Sequence, residues 1–117
     1  MQAIHLIIIV RKRLVPLISD VECMTLGCGI SNSLGNKGAV SISMKVRQTK
    51  LLCISCHLAA GQSEVVKRSQ DFEKIYNAMV LQHNANSPKV SPLNTPIDNI
   101  IWVGDFNYRI NGIINAI

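Results

Sequence analysis

The strongest constraint on this chain is an apolar run that stops at a glycine and then presents two polar residues. Residues 99–103 are Asn-Ile-Ile-Trp-Val, and Gly104, Asp105, Phe106 and Asn107 follow. Such a run is typical of a buried strand that delivers polar side chains to its C-terminal rim. In an extended backbone residues i and i+2 share a face, so we expect Asp105 and Asn107 to point together while Phe106 points into the core.

Two interpretations of this Asp and Asn pair are open from the residues alone. A carboxylate and a neutral amide suit a general base and a group that holds a water or a phosphoryl oxygen. Asp and Asn are also common turn formers after a strand. The rest of the chain has to decide between a chemical role and a turn.

The composition favours a small globular unit that binds an anion. The chain has 117 residues and is 48% hydrophobic, which suits one buried core. Its formal charge of +5 favours nucleic acid, a phosphorylated metabolite or an anionic membrane surface as partner. Aromatic residues make up only 4% and are not interleaved with the basic ones, which argues against a base-stacking nucleic-acid platform.

Both ends of the chain are expected to be truncated. The sequence begins almost directly in a strand-like apolar segment, residues 4–10, and stops soon after the Gly-Asp-Phe-Asn motif. The apolar segment is too short to span a bilayer and lacks the flanking features of a signal peptide, so we predict a core strand there.

The cysteines are predicted to be free thiols that act as small hydrophobic residues. No secretory signal accompanies them, which argues against a disulfide framework. Cys53 and Cys56 form a C-x-x-C, but residues three apart in a strand face opposite sides, and no paired histidine completes a zinc set.

An antiparallel hairpin is predicted in the middle of the chain. A Gly/Asn/Ser-rich loop over residues 31–38 precedes an alternating segment, in which Ser41 and Ser43 face solvent or a polar layer. A turn at residues 48–50 leads to a second strand, residues 51–56. The apolar face of the alternating strand is predicted to be buried; it consists of Val40, Ile42, Met44 and Val46.

A helix and a loop complete the predicted order of elements. Ser63 is a good N-cap, and apolar residues at helical spacing continue to about His83, with charges such as Arg68 and Asp71 between them. Residues 84–98 hold several prolines and predict a surface loop. Strands with one intervening helix indicate an α/β layered sandwich.

His57 ends the second strand of the hairpin, just as Asp105 ends the last strand. If these strands are neighbours in one sheet, their rim residues converge. The imidazole is suited to acid–base work near neutral pH. The candidate catalytic residues are therefore His57, Asp105 and Asn107.

Three motifs, in order, closely resemble those of the inositol polyphosphate 5-phosphatases. They are Gly-Asn-Lys-Gly-Ala-Val at 35–40, Cys-His-Leu-Ala-Ala-Gly at 56–61 and Trp-Val-Gly-Asp-Phe-Asn-Tyr-Arg at 102–109. The residues around His57 are most similar to the synaptojanin branch. The resemblance implies the endonuclease/exonuclease/phosphatase superfamily and its four-layer α/β sandwich, with mostly antiparallel sheets flanked by helices. Residues 1–117 would then be a partial catalytic domain, truncated at both ends.

The resemblance also implies an activity. The family hydrolyses the 5-phosphate of phosphoinositides, such as phosphatidylinositol 4,5-bisphosphate, or of inositol polyphosphates, by in-line attack of water with Mg²⁺ as cofactor. Asp105 would orient or deprotonate the water, Asn107 would hold the nucleophile or a phosphate oxygen, and His57 would donate to the phosphate. The protein would be cytoplasmic and peripheral to an anionic membrane surface, with no nucleic acid as partner.

The resemblance extends to substrate and membrane contacts. It suggests a substrate-side role for Asn36, Lys37, Tyr108 and Arg109, although Lys37 could equally be solvated and Arg109 could be a salt-bridge partner below the site. Ile30 and Leu34 would dip into the membrane, unless they pack into the core.

The family pattern is incomplete in this chain. The metal-binding glutamate of the family lies upstream of these residues and its distal Asp-His pair lies downstream, so we expect no metal ligand within the chain and no activity from the chain alone. A superfamily nuclease and a non-catalytic remnant, including a lipid-binding fragment, are the alternative functions. No oligomeric state is predicted.

Overall fold

The computed structural model describes residues 4–29, 37–81 and 97–109, and within them four strands form one sheet in the order β1-β2-β3-β4. A short 3-10 helix, Lys12–Leu17, precedes the sheet. The strands are β1 (Ile18–Gly27), β2 (Gly38–Val46), β3 (Thr49–His57) and β4 (Asn99–Asp105). Helix α1 (Val65–Tyr76), continued by a π-helical turn (Asn77–Leu81), follows β3 and precedes β4 in the sequence. The predicted α/β class is confirmed.

The sheet is mixed because its strands are connected in two different ways. A short turn joins β2 to β3, and these strands pair antiparallel as predicted, with β1 antiparallel on the other side of β2. The connection from β3 to β4 contains α1, and such a crossover allows the two strands to run parallel. Asp98 fixes the start of this pair: its Oδ2 accepts the Lys50 N–H at 2.7 Å, and its own N–H donates to Lys50 O at 2.9 Å.

Helix α1 and the turn after it cover one face of the sheet. The core lies between them and is built from aliphatic, methionine and cysteine side chains. Its members are Cys28, Ala39, Leu52, Ile54, Cys56, Leu58, Ile75, Met79 and Val80. Because the loop after β3 also contributes Leu58, the core extends directly beneath the C-terminal ends of β3 and β4.

The predicted burial of β2 is wrong. Ser41 and Ser43 lie on the side of the core and are only 3% and 1% exposed, whereas Val40 and Ile42 are half-buried; of the predicted apolar face, Met44 alone is buried. The serine face also carries Ala39, and these small side chains let the helix pack close to the sheet. The alternating pattern therefore predicted the strand correctly, but it predicted the wrong face to be buried against the core.

The predicted burial of the helix also needs correction. Arg68 and Asp71, predicted as charges between the apolar positions of the helix, are each 1% exposed, while Val65 and Val66 of the predicted apolar positions are exposed. The helix begins after Glu64, so Ser63 is not its N-cap. The predicted helix end near His83 and most of the predicted loop over 84–98 lie outside the described residues.

Two apolar segments are less buried than predicted. Residues 4–10 are not assigned to a strand, and Ile7 and Ile9 are exposed. In β4, which lies at an edge of the described sheet, Ile100 and Ile101 are also exposed.

Gly104 lets β4 lie close against β3. Its φ is +121°, and a Cβ at this position would overlap the carbonyl oxygen of Cys56 and lie 2.8 Å from the Cys56 nitrogen. These neighbours are backbone atoms in a paired strand, so they are not free to move aside. Any side chain at Gly104 would push the two strands apart.

We therefore expect Gly104→Ala to lower the free energy of unfolding by about 3 kcal/mol or more, because backbone strain and a backbone clash combine. Gly61→Ala is the matched control. Gly61 has a similar φ of +116°, but the nearest atom to its added Cβ is the flexible Glu64 Cγ at 3.1 Å. This variant should lose only about 1–2 kcal/mol in urea unfolding. Equal losses would contradict the clash at Cys56.

Candidate functional site

His57 and Asp105 meet at one rim of the sheet. They are the last residues of β3 and β4 and face each other in the parallel register. His57 Nε2 lies 3.6 Å from Asp105 Oδ2, which is close but too long for a hydrogen bond. Just past the pair, the Leu58 N–H donates to Asp105 O at 3.0 Å. The predicted convergence of the two strand ends is confirmed.

A turn, rather than the pleat of a strand, brings Asp105 and Asn107 together. β4 ends at Asp105, and Asn107 has a φ of +52°. The Asn107 N–H donates to Asp105 Oδ1 at 2.9 Å, the bond of an Asx turn. Phe106 packs against the core as expected. The Asp105 side chain is 62% exposed, and its Oδ2 faces His57, so turn formation leaves this carboxylate oxygen accessible.

The side chain of Asn107 is held on both sides of its amide. Its Nδ2 donates to Leu58 O at 3.0 Å, and its Oδ1 accepts from Arg109 Nη2 at 3.2 Å. Arg109 thus reaches the amide at the rim. Tyr108 is exposed, and its ring stacks on Phe106 at a centroid distance of 6.2 Å.

Lys37 contacts His57 directly. Its Nζ lies 2.5 Å from His57 Nε2. A lysine ammonium has donors only, so Nε2 accepts this hydrogen bond and Nδ1 carries the ring hydrogen. Lys37 therefore lies at the rim, half-buried, and is not a fully solvated loop residue. The other candidates of this region, Asn36, Ile30 and Leu34, lie outside the described residues.

A buried thiol lies directly behind the rim. Cys56 Sγ accepts a hydrogen bond from Trp102 Nε1 at 3.1 Å. Burial raises the pKa of the Cys56 thiol; the Trp102 hydrogen bond opposes this effect, and the charge of Asp105 adds to it. Burial also raises the pKa values of Cys28 and Cys53. All four cysteines are free, as predicted.

Two residues that support the site were missed from the sequence. Arg68 Nη1 donates to Gly61 O at 2.5 Å and to Ala59 O at 3.3 Å, and Asp71 Oδ2 accepts the Ala59 N–H at 3.1 Å. Both hold the loop that follows His57. Their spacing was the available indication, because Arg68, Asp71 and Ile75 fall on one helical face.

The described rim does not by itself fit a magnesium ion. Among the described residues, no group of three His, Cys, Asp or Glu side chains is placed to hold a metal. Asp105 offers a carboxylate, but Lys37 and Arg109 bring positive charge to the same rim. Mg²⁺ requires several oxygen ligands, and neighbouring cations oppose its binding. The described rim residues are therefore better suited to contact an anion directly than to bind a metal ion.

No helix in the described part of the chain is long and apolar enough to cross a membrane.

Comparisons with known proteins connect this rim to one family. A family model described as Endonuclease/Exonuclease/phosphatase family 2 matches residues 1–117. Type IV inositol polyphosphate 5-phosphatase 3 of Arabidopsis thaliana is 39% identical over 113 residues, which cover 95% of this chain and 17% of that protein. Human synaptojanin-1 is 37% identical over 106 residues, or 91% of this chain and 6% of that protein.

A solved structure is similar as well. It is a crystal structure of the inositol polyphosphate 5-phosphatase domain of SPsynaptojanin in complex with inositol (1,4)-bisphosphate and calcium ion. The TM-score is 0.61 at 32% sequence identity, and the match covers 85% of this chain and 26% of that chain. The chain thus spans only a minor part of the length of each relative that it matches.

The four thiols should differ in reactivity. Thiolates, not thiols, react with iodoacetamide, and both burial and a raised pKa suppress the thiolate. At pH 8 in the folded chain we expect exposed Cys23 to be alkylated first, and Cys28 and Cys56 to be protected until urea is added. Peptide mass spectrometry gives the order. Alkylation of Cys56 as fast as Cys23 would contradict the burial of the thiol behind the rim.

Proposed function

Because the chain belongs to the Endonuclease/Exonuclease/phosphatase family 2, we propose that its rim serves the hydrolysis of the 5-phosphate of phosphoinositides or inositol polyphosphates. The resemblance to 5-phosphatases and synaptojanins is confirmed by the relatives themselves. The observation that carries the proposal is the register pair His57 and Asp105, in which an exposed carboxylate lies next to the imidazole that Lys37 contacts.

We propose that Asp105 acts on the attacking water. One carboxylate oxygen, Oδ1, is committed to the turn, and Oδ2 is left to orient or deprotonate a water. Lys37 is proposed to bind the incoming phosphate as a point charge. A phosphate there would replace the Lys37 contact at His57 Nε2, and a protonated Nε2 would then donate to the phosphate in the transition state.

Asn107 and its neighbours are proposed to hold the substrate side of the rim. An amide nitrogen carries two hydrogens, and the bond to Leu58 O uses one of them. The second is available to the nucleophile or to a phosphoryl oxygen. Arg109 adds positive charge at Asn107 Oδ1, and the exposed phenol of Tyr108 lies next to it in sequence.

The cofactor and cellular setting are further parts of the proposal. The similar crystal structure contains calcium, which supports a divalent cation for the family, and we propose Mg²⁺ as the cofactor, although the described rim does not hold it by itself. Since the match covers 26% of that chain, we propose that residues 1–117 form part of a catalytic domain and do not turn over substrate alone. A cytoplasmic protein peripheral to anionic membranes fits the +5 charge.

A hybrid protein tests the proposed activity. Residues 4–109 of this chain replace the aligned segment of the solved synaptojanin phosphatase domain, and phosphate release is measured with malachite green. Substrates are phosphatidylinositol 4,5-bisphosphate vesicles and a soluble inositol trisphosphate, both with Mg²⁺. We expect release by the hybrid and none by residues 1–117 alone. Asp105→Ala or His57→Ala should lower kcat by about 10²- to 10⁴-fold, because each removes a group that moves or donates a proton.

Glu73→Gln is the control for these variants, since Glu73 is an exposed acid on α1 and lies outside the rim. Its hybrid should release phosphate at the unmodified rate. Cleavage of duplex DNA by the hybrid, or full activity after loss of Asp105, would contradict the proposal.

Lys37→Met tests the proposed phosphate contact. Loss of one charge-assisted hydrogen bond should raise KM of the hybrid about 10-fold or more while kcat changes less. Lys12→Met, in the exposed 3-10 helix, removes the same charge away from the rim and should leave KM unchanged. An unchanged KM in Lys37→Met would contradict the proposal that this lysine binds the phosphate.

A further inference from the structure

We propose that Asp71 of helix α1, supported by Arg68, is a positioning residue for Asn107. It acts through the peptide that joins Leu58 to Ala59, called here the 58–59 peptide. Asp71 does not touch the rim itself. Its effect on Asn107 is a matter of geometry in the folded chain, and only its effect on rate rests on the proposed function.

The 58–59 peptide is bound at both ends. Its carbonyl, Leu58 C=O, accepts from Asn107 Nδ2 at 3.0 Å, and its N–H, that of Ala59, donates to Asp71 Oδ2 at 3.1 Å. When a carboxylate accepts the N–H of a peptide, the peptide nitrogen donates more electron density to the carbonyl of the same peptide. The carbonyl oxygen then becomes a better hydrogen-bond acceptor. Asp71 therefore strengthens the hydrogen bond that orients the Asn107 amide.

The loop around this peptide is fixed by a second buried charge. Arg68 Nη1 binds the carbonyls of Gly61 and Ala59, so both flanks of residue 60 are tied to α1. Arg68 and Asp71 are each 1% exposed. The loop following β3 is thereby held against the helix by charge-assisted hydrogen bonds.

Core packing alone does not account for these charges. An ionised side chain is costly to bury, and an apolar residue of similar volume is often as stable or more so. Asp71 Oδ1 is paired with Lys67 Nζ at 2.5 Å, so one oxygen of the carboxylate has a basic partner while the other binds the loop. Because an apolar residue at this position would leave the Ala59 N–H without its acceptor, the charge serves the loop and the amide beyond it.

The orientation of Asn107 has a direct consequence for the rim. With Nδ2 committed to Leu58 O, the amide oxygen is fixed on the opposite side, where Arg109 donates to it. If the bond to Leu58 weakens, the amide is free to rotate about its terminal torsion, and the donor and acceptor exchange places. Asp71 therefore determines which amide atom faces a ligand.

Amide exchange in the full chain tests this role without any substrate. Side-chain NH₂ exchange of Asn107 and backbone exchange of Ala59 are measured by ¹⁵N NMR in the unmodified chain and in Asp71→Ala, Asp71→Asn and Glu73→Gln. In Asp71→Ala we expect both groups to exchange at least about 10-fold faster. Asp71→Asn retains an acceptor but loses the charge, so its acceleration should be smaller yet measurable. Glu73→Gln, which removes an exposed carboxylate from the same helix, should change neither.

Unchanged Asn107 exchange in Asp71→Ala, with Ala59 exchange accelerated, would overturn the proposal, because the peptide would then not transmit the effect. If Asp71→Ala does not fold, Asp71→Asn decides in the same way. In the hybrid phosphatase, Asp71→Asn should lower kcat about 10-fold with KM nearly unchanged, the pattern of a displaced catalytic group. A hybrid that hydrolyses nothing contradicts the proposed function, and the exchange measurement still decides the role of Asp71.

Discussion

The contact between Gly104 and the backbone of Cys56 is the constraint on which the rim depends. Because Gly104 has no side chain, β4 approaches β3 closely enough for the parallel pairing to continue to its last residues. The Leu58 N–H then reaches Asp105 O, and the imidazole of His57 lies beside the carboxylate. The backbone geometry at Gly104, one residue before Asp105, thus determines where His57 and Asp105 lie, and side-chain interactions set only the details of their contact.

Local patterns in the sequence predicted β2, β3 and β4, the hairpin and the convergence of His57 with Asp105, but not β1. These features follow from alternation and from where apolar runs end, which are properties of neighbouring residues. The buried face of β2 was assigned wrongly because burial depends on where α1 packs, and Ser41 and Ser43 leave the room that a covering helix needs. The Asp105 turn was an open alternative in the sequence and became one part of the geometry of the rim.

The buried charges of α1 show a second limit of hydropathy. Residue type alone does not distinguish a charged residue that binds backbone groups in the interior from one that faces water. The loop after His57 offers Leu58 and two alanines, which have no polar side chains to satisfy the backbone of the loop. Buried backbone groups need partners, and Arg68 and Asp71 supply them from the helix. The lack of polar side chains at Leu58, Ala59 and Ala60 therefore explains why helix α1 carries buried charges.

The position of Trp102 gives this chain an optical property. It is the single tryptophan in the sequence. Its ring stacks on Phe72 of α1 at a centroid distance of 4.6 Å, and its Nε1 donates to the sulfur of Cys56. Tryptophan fluorescence therefore arises from one indole, which is carried by β4 and contacts both the helix and the thiol behind the rim. Separation of any of these three parts changes the surroundings of that indole, so the assembly of the rim is visible in the emission of the unlabelled protein.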